Sequence, residues 1–295
     1  MTTDRRPPDA APAASPAPEP PRIATPDPWG DLRAHTTARL ALGRAGSSMP
    51  TDELLRFGFA HAMARDAVHL QLDVDALCRQ IEDDGCQALA VHSAAADRAA
   101  YLLRPDLGRR LDDASVERLA AQAALPCDLL IVVGDGLSSM AVERNARPMI
   151  AALRAQAPAG WRLGPIVVAS QARVALGDEI GQLLHAPMVA MLIGERPGLS
   201  SPDSLGLYLT WQPQVGRSDA ERNCISNIRP AGSSYADAAR RCWWLAAEAR
   251  RLKLTGVQLK DRSDDTLLRG AAAPEALPTE LATPPPQPTG EPPSG

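Results

Sequence analysis

The sequence has 295 residues, of which 45% are hydrophobic, so it is long and apolar enough to bury a substantial core. A net charge of -4, without a dense cluster of Lys or Arg, argues against nucleic acid as a partner. No apolar run reaches the roughly 18 residues that a membrane-spanning helix needs, and the first residues lack the apolar core of a signal peptide.

The five cysteines are widely spaced, odd in number and free of any Cys-x-x-Cys pair. This pattern argues against a disulfide framework or a zinc site and predicts a reducing cytoplasm. The histidines offer no metal-ligand spacing beyond His61 and His69, which lie eight residues apart on one helical stretch. We therefore predict no metal site in this chain.

Proline, alanine, threonine and glutamate dominate both ends of the chain, where too little apolar surface can be buried to offset the entropy of ordering. We predict disordered tails at 1–26 and 266–295. Between these tails the sequence divides into a helical N-terminal region at 27–84 and an α/β domain at 85–265.

Helical spacing dominates the region 27–84. Trp29, Leu32 and Leu40 recur on one side of a first segment, and Thr51 can cap a second helix. The second helix carries an apolar stripe, formed by Leu54, Leu55, Phe57, Phe59, Ala60 and Met63. A third helix is predicted from Asp75 to Ile81, ending at an acidic turn.

From Cys86 onward, short apolar runs alternate with amphipathic stretches, which predicts an α/β fold. The predicted strands are Ala88 to Val91, Leu129 to Val133, Ile166 to Val168, Met188 to Ile193, Leu207 to Thr210 and Val257 to Leu259. The predicted helices are Val116 to Gln122, Ala141 to Gln156, Asp178 to Leu184 and Ala236 to Leu252. The fold class is a Rossmann-like layered domain with a largely parallel sheet, in which ligands bind at the carboxyl ends of the strands.

A strand, a glycine turn and a helix start follow one another at residues 132–139, which read VVGDGLSS. The glycines allow a tight turn and leave helix N–H groups pointing outward, which suits an anion or a polar ligand. Ser139 occupies the third glycine position of a dinucleotide fingerprint, so the motif is incomplete. The alternative is a helix-capping turn in which Ser138 or Ser139 is the cap.

Two later segments also combine polar residues with a strand. Glu195 follows a strongly apolar strand in a loop held by Gly and Pro, where it can accept hydrogen bonds from a ligand or belong to an ordinary surface loop. In the segment 223–229, an extended chain would place Cys224, Ser226 and Ile228 on one face. No histidine lies downstream of His185, so Cys224 is interpreted as a small buried hydrophobe more readily than as a reactive thiol.

Seven segments in register resemble the small subunit of ethanolamine ammonia-lyase, and the resemblance covers about Asp27 to Asp261. In one-letter code they are ARDAVH at 64–69, DR at 97–98 with Tyr101, RPDLGR at 104–109, DGLS at 135–138, GDEIG at 177–181, IGERPG at 193–198 and NCISNI at 223–228. A single hexapeptide could arise by chance, but seven in the same order are hard to explain otherwise. Both predicted tails lie outside the resemblance.

The resemblance implies a two-subunit enzyme that uses adenosylcobalamin. In this family a large barrel-shaped subunit holds the substrate and the radical chemistry, while the small subunit covers part of the cobalamin at the interface. The family's cobalamin contacts correspond here to Val174, Glu195 and Cys224. No catalytic residue is expected in this chain, and the isolated chain is expected to be inactive.

The resemblance also implies the state of the cofactor. The Asp-x-His-x-x-Gly motif that replaces the lower ligand of cobalamin in some enzymes is absent, since Asp66 and His69 are spaced differently, so base-on binding is expected. Homolysis of the cobalt-carbon bond would then start the conversion of ethanolamine to acetaldehyde and ammonia. The cytoplasmic complex could be free or enclosed in a protein-shelled bacterial microcompartment.

Two alternatives from other classes stay open at this point. The first is a Rossmann-type nucleotide-dependent oxidoreductase that uses the glycine turn at Gly134, although its third glycine is missing. The second is a cysteine hydrolase that uses Cys224, although no base is evident. Neither alternative accounts for the other matching segments.

Overall fold

A computed structural model of the chain describes residues 24–122 and 126–264. They fall into two compact units, one within Met1–Asp66 and Pro197–Pro202 and the other within Ala67–Arg196 and Asp203–Gly295. The α-helices and β-strands of the described ranges are α1 Thr51–His69, α2 Val74–Asp83, β1 Ala88–His92, α3 Arg98–Leu103, α4 Asp113–Ala120, β2 Leu129–Gly134, α5 Ser139–Ala155, β3 Leu163–Ser170, α6 Leu176–Leu183, β4 Met188–Gly194, β5 Leu205–Trp211, β6 Asn223–Ile228 and α7 Tyr235–Leu252. The predicted tails lie outside the described residues apart from 24–26, where Thr25 pairs with Arg44.

The six strands form one mixed sheet in the order β1-β3-β2-β4-β5-β6. Neighbours among β1 to β4 are parallel, whereas β5 pairs antiparallel with both β4 and β6. The prediction of a largely parallel sheet is therefore right for the first four strands and wrong for the last two. Parallel pairing needs a long crossover, usually a helix, but the connections 195–204 and 212–222 contain no α-helix. The chain returns instead as antiparallel strands.

The predicted strand from Val257 to Leu259 is wrong, because these residues form turns. Gly256 has a φ of +90°, and the Leu259 N–H donates to the Gly256 carbonyl at 2.9 Å. Leu259 is buried while Val257 is 64% exposed, so the short apolar run contributes one core residue through a turn. The edge of the sheet is formed by β6 instead.

Two hydrophobic clusters lie on opposite faces of the sheet. Along β2, Ile131 belongs to the cluster that includes residues of α2, α5 and α7, and Val132 belongs to the cluster that includes residues of α4 and α6. Consecutive side chains of a strand point to opposite faces, so both sides of β2 are buried under helices. The predicted α/β class is confirmed.

Helix α1 is confirmed, but its apolar residues do not form a buried stripe. Leu54, Leu55 and Phe59 are 58%, 67% and 69% exposed. The segment before it forms only a short 3-10 helix at Gly30–Ala34, in which no residue is buried. Among the described residues, no helix is long and apolar enough to cross a membrane.

Candidate functional site

A cleft of about 420 Å³ opens at the carboxyl ends of three neighbouring parallel strands. Gly136 follows β2, Val174 follows β3 and Glu195 follows β4, and all three line it. Tyr208 of β5 also lines the cleft. This edge is where α/β sheets bind ligands, because loops from adjacent strands converge there.

Val174 is positioned by a loop that is tied to a buried carboxylate. Asp135, at the end of β2, accepts the backbone N–H groups of Gln171 and Ala172 at 2.9 and 2.8 Å. Burial raises the pKa of Asp135, although these bonds and the charge of Arg98 favour its ionised form. Arg98 lies 3.4 Å from Asp135 and donates to the Gly136 carbonyl at 2.9 Å. The loops after β2 and β3 are therefore held together by one buried network.

Glu195 joins the end of β4 to the two antiparallel strands. Its carboxylate accepts the hydroxyl of Ser204 in a short hydrogen bond and the backbone N–H of Asn227 at 3.2 Å. Its own backbone N–H donates to the Ser204 carbonyl at 2.9 Å. An ionised carboxylate has about four acceptor positions, and these bonds occupy only some of them. These bonds tie Glu195 to the segments before β5 and within β6, and its role in binding a ligand stays a prediction.

Cys224 lies beside the cleft rather than in its lining. It is opposite Tyr208 in the pairing of β5 with β6, and its side chain is accessible to solvent. The protein atoms packed around Cys224 nevertheless desolvate its thiolate, which raises the pKa of Cys224. The negative charge of Glu195 raises this pKa further, whereas a hydrogen bond with Tyr208 lowers it. A thiol with a raised pKa is a poor nucleophile. The prediction that Cys224 is buried is wrong, and the hydrolase alternative gains no support.

Strand β6 is extended as predicted, but only two of the three residues expected on one face of it lie together. Cys224 and Ser226 are exposed, whereas Ile228 is buried on the same side as Ile225. Asn227 has a φ of +59° and lies at a register shift, where Leu205 pairs with Ile228 and Leu207 with Ile225. Such a bulge adds one residue and reverses the alternation of side chains.

The glycine turn after β2 is packed against the end of β4. Gly136 has a φ of +57°, and a Cβ there would overlap the Gly194 carbonyl oxygen. The Leu137 N–H donates to that same carbonyl at 2.9 Å, and Ser138 caps α5 by accepting the Ala141 N–H at 3.2 Å. The helix-capping interpretation is confirmed with Ser138 as the cap. Two N–H groups of the turn and the first helical turn, those of Leu137 and Ala141, are therefore already engaged, and the dinucleotide alternative gains no support.

Two acidic residues of the segment 177–181 hold the surrounding elements together. Asp178 of α6 forms a bidentate pair with Arg222, with distances of 2.6 and 2.7 Å, and both side chains are almost fully buried. Glu179 accepts from Arg110 and from the Leu111 N–H, each at 2.7 Å. The first pair fixes the start of β6, and the second fixes the segment that follows α3.

Sequence reasoning gave no role to the cluster of Arg98, Tyr101 and Arg173. The Arg98 and Arg173 guanidinium carbons lie 4.6 and 4.2 Å from the centre of the Tyr101 ring. Tyr101 donates its hydroxyl to the Ala172 carbonyl at 3.2 Å. Arg98 and Tyr101 lie on α3, whereas Arg173 is 72 positions beyond Tyr101, so no local spacing signals that Arg173 joins them. The one available signal is that Arg98 and Tyr101 belong to a segment that resembles the family.

Fold and site together define a mixed α/β protein that can hold a ligand at a strand-end cleft. No group of histidine, cysteine or carboxylate side chains suited to a metal ion occurs in residues 24–122 and 126–264. Arg173, Glu195 and Tyr208 are among the polar residues that line the cleft, and burial raises the pKa of Cys224 beside it.

Comparison with known proteins gives the family. The family model for the ethanolamine ammonia-lyase light chain (EutC) matches residues 26–260. The chain is 56% identical over 250 residues to the "Ethanolamine ammonia-lyase small subunit" of Pseudomonas aeruginosa strain UCBPP-PA14, which covers 83% of this chain and 92% of that protein. It is 53% identical over 262 residues to the protein of that name from Xanthomonas campestris pv. campestris strain B100, covering 88% and 96%. The chain belongs to the ethanolamine ammonia-lyase light chain family and is thus a subunit of a lyase.

Proposed function

We propose that this chain forms one side of an adenosylcobalamin site, whose other side is supplied by the large subunit of the enzyme. The observation that carries the proposal is that Val174 and Glu195, which come from separate loops, line one cleft, while Cys224 pairs beside it with Tyr208. The resemblance alone had given these three residues as cofactor contacts. Rossmann-like topology for the parallel strands β1 to β4, with helices on both faces, is part of the same proposal.

The groups in the cleft suit the chemistry of a corrinoid. A corrin is a broad apolar ring with amide side chains that donate and accept hydrogen bonds. Val174 offers an apolar contact, Glu195 offers acceptor positions, and the buried Nε of Arg173 has no hydrogen-bond partner among the described residues. The cleft is smaller than a whole cobalamin, so it would take an edge or the nucleotide end of the cofactor and leave the reactive face to the partner.

The exposed surface of α1 supports a role within a complex. Leu54, Leu55, Phe57 and Phe59 are all exposed, although an apolar helix is normally buried. Exposed apolar surface of this extent is typical of a protein that binds another chain. The large subunit is the partner proposed here.

The bound cofactor, in its base-on form, would supply the radical chemistry that converts ethanolamine to acetaldehyde and ammonia. This chain's residues would hold and orient the cofactor and exclude water from one side of it. None of them is assigned a catalytic step, and turnover is expected to need the large subunit. The proposal places the complex in the cytoplasm, either free or inside a protein-shelled microcompartment.

The test is co-expression with the large subunit, followed by purification and titration with cyanocobalamin monitored by absorption. The wild-type complex is expected to retain corrinoid, and Glu195→Gln is expected to weaken binding by roughly tenfold or more, as loss of a charged acceptor predicts. Glu248→Gln, which changes a partly exposed carboxylate of α7, is the matched control. Ser204→Ala removes the hydrogen bond that holds Glu195 but keeps the Glu195 carboxylate. It therefore separates the structural role of Glu195 from a direct contact with the ligand. A wild-type complex that retains no corrinoid would overturn the proposal.

A further inference from the structure

Arg173 is a cationic side chain of the cleft that has no acidic partner among the residues the structure describes. It precedes Val174, lines the same cleft and is partly buried. Its Nε atom is buried and has no hydrogen-bond partner, and its guanidinium forms no ion pair with any carboxylate of the described ranges. A partly buried guanidinium is favoured by a paired anion, because desolvating an unpaired charge is costly. The missing anion is therefore expected to come from a ligand.

The side chain of Arg173 is fixed in place before any ligand binds. Its guanidinium stacks on the Tyr101 ring at 4.2 Å, and Nη2 donates to the Tyr101 carbonyl at 3.2 Å. Its backbone N–H donates to the Gly108 carbonyl at 2.8 Å. A Cβ on Gly108 would come within 2.9 Å of the Arg173 Cγ, so glycine is what lets the two segments pack this closely. A pre-positioned guanidinium loses little entropy when it binds an anion.

The neighbouring charges leave Arg173 uncompensated. Arg98 is already paired with Asp135 at 3.4 Å. Glu195, the carboxylate of the cleft, forms no ion pair with Arg173 among the described residues, and its oxygens accept the Ser204 hydroxyl and a backbone N–H. Burial raises the pKa of Tyr101 to about 12, so this hydroxyl is neutral near pH 7 and supplies no negative charge. The cleft therefore favours an anionic group beside Arg173.

We propose that Arg173 binds the phosphodiester of the nucleotide loop of a base-on corrinoid. The inference rests on the proposed function, and it names the part of the cofactor that enters the cleft. The amide side chains of the corrin ring are neutral, whereas the phosphodiester is the anionic group at the cofactor's periphery. A guanidinium matches two phosphate oxygens through paired N–H donors, which gives both affinity and orientation.

The experiment uses the complex with the large subunit and three probes that differ in one part of the ligand. Cyanocobalamin carries the whole nucleotide loop, dicyanocobinamide phosphate carries a phosphate without the base, and dicyanocobinamide carries neither. Each is titrated into wild type, Arg173→Gln, Arg173→Lys and Arg251→Gln by absorption or equilibrium dialysis. Arg251→Gln removes the same charge from an exposed arginine of α7 that pairs with Glu248.

Arg173→Gln is expected to weaken the binding of cyanocobalamin and of dicyanocobinamide phosphate by roughly 10- to 100-fold. The binding of dicyanocobinamide should stay nearly unchanged. Arg173→Lys should recover part of the loss, and Arg251→Gln should match wild type with all three probes. Equal weakening of all three corrinoids in Arg173→Gln would overturn the inference, as would no weakening of any. These outcomes differ from failure of the proposed function, in which the wild-type complex itself binds no corrinoid.

Discussion

Replacement of Asp178 by Asn is expected to destabilise the fold strongly, because it breaks a buried ion pair. The side chain keeps nearly the same shape, so the change tests the charge alone. The Asp178 and Arg222 side chains are 2% and 1% exposed, and two hydrogen bonds of 2.6 and 2.7 Å join them. In the variant an amide would face the guanidinium, and the positive charge of Arg222 would stay buried. Removing one partner of such a pair costs about 3–5 kcal/mol.

The lower end of that range applies here, at about 3 kcal/mol, because Arg222 keeps other partners. Its Nη1 donates to the Thr210 hydroxyl at 3.1 Å, and its Nη2 donates to the Arg217 carbonyl at 3.0 Å. Asp219 also lies 3.4 Å from its Nε, but that carboxylate is 78% exposed and compensates the charge weakly. The remaining hydrogen bonds therefore reduce the loss of stability but do not replace the ion pair.

The assay is urea unfolding of the full chain followed by circular dichroism, with the denaturant slope compared between variants. Glu248→Gln makes the same chemical change in the exposed pair with Arg251 and should cost less than about 1 kcal/mol. An Asp178→Leu, Arg222→Met double variant should regain much of the stability, since apolar side chains can replace a buried pair. If Asp178→Asn costs no more than Glu248→Gln, the reasoning about buried charge is wrong.

Three further predictions concern pH, the glycine turn and the thiol. Burial opposes the ionisation of Glu179, but its arginine and backbone N–H partners outweigh that effect and lower its pKa. Its stabilising contribution is therefore present above the ordinary pKa of about 4.3 and is lost as pH falls through the lower folded value. Glu179→Gln should have a lower melting temperature than wild type at pH 7, and the two melting temperatures should converge as the pH is lowered. A difference in melting temperature that stays constant with pH would contradict this. Gly136→Ala should cost about 2–4 kcal/mol from strain and overlap, whereas Gly160→Ala, with positive φ and open space, should cost about 1 kcal/mol in urea unfolding; equal losses would contradict the packing argument. In the isolated chain, Cys224 should react slowly with iodoacetamide at pH 7, and Glu195→Gln should speed the reaction by lowering the thiol's pKa; mass spectrometry would detect it, and an unchanged rate would contradict the electrostatic coupling.

The sequence by itself determined the class of the fold and most of its elements. Runs such as the one from Leu129 to Val133 are short and apolar without interruption, which favours a strand buried on both faces. The amphipathic helix of Ser139–Ala155 follows from spacing in the same way. The family followed from short segments kept in order. All of these features are local, and local patterns are legible in a single sequence.

The tertiary structure decided what depends on contacts between distant segments. Sequence reasoning could not foresee that Glu195 is held by Asn227, that a bulge turns Ile228 inward, or that α1 leaves its apolar residues exposed. Arg173 looked like any polar loop residue until Tyr101 was found beneath it. The physical reason is the same in each case: burial and charge compensation are set by neighbours in space. Spacing along the chain indicates which way a side chain points in a regular element, but bulges and the environment of the side chain come from the packing of other elements.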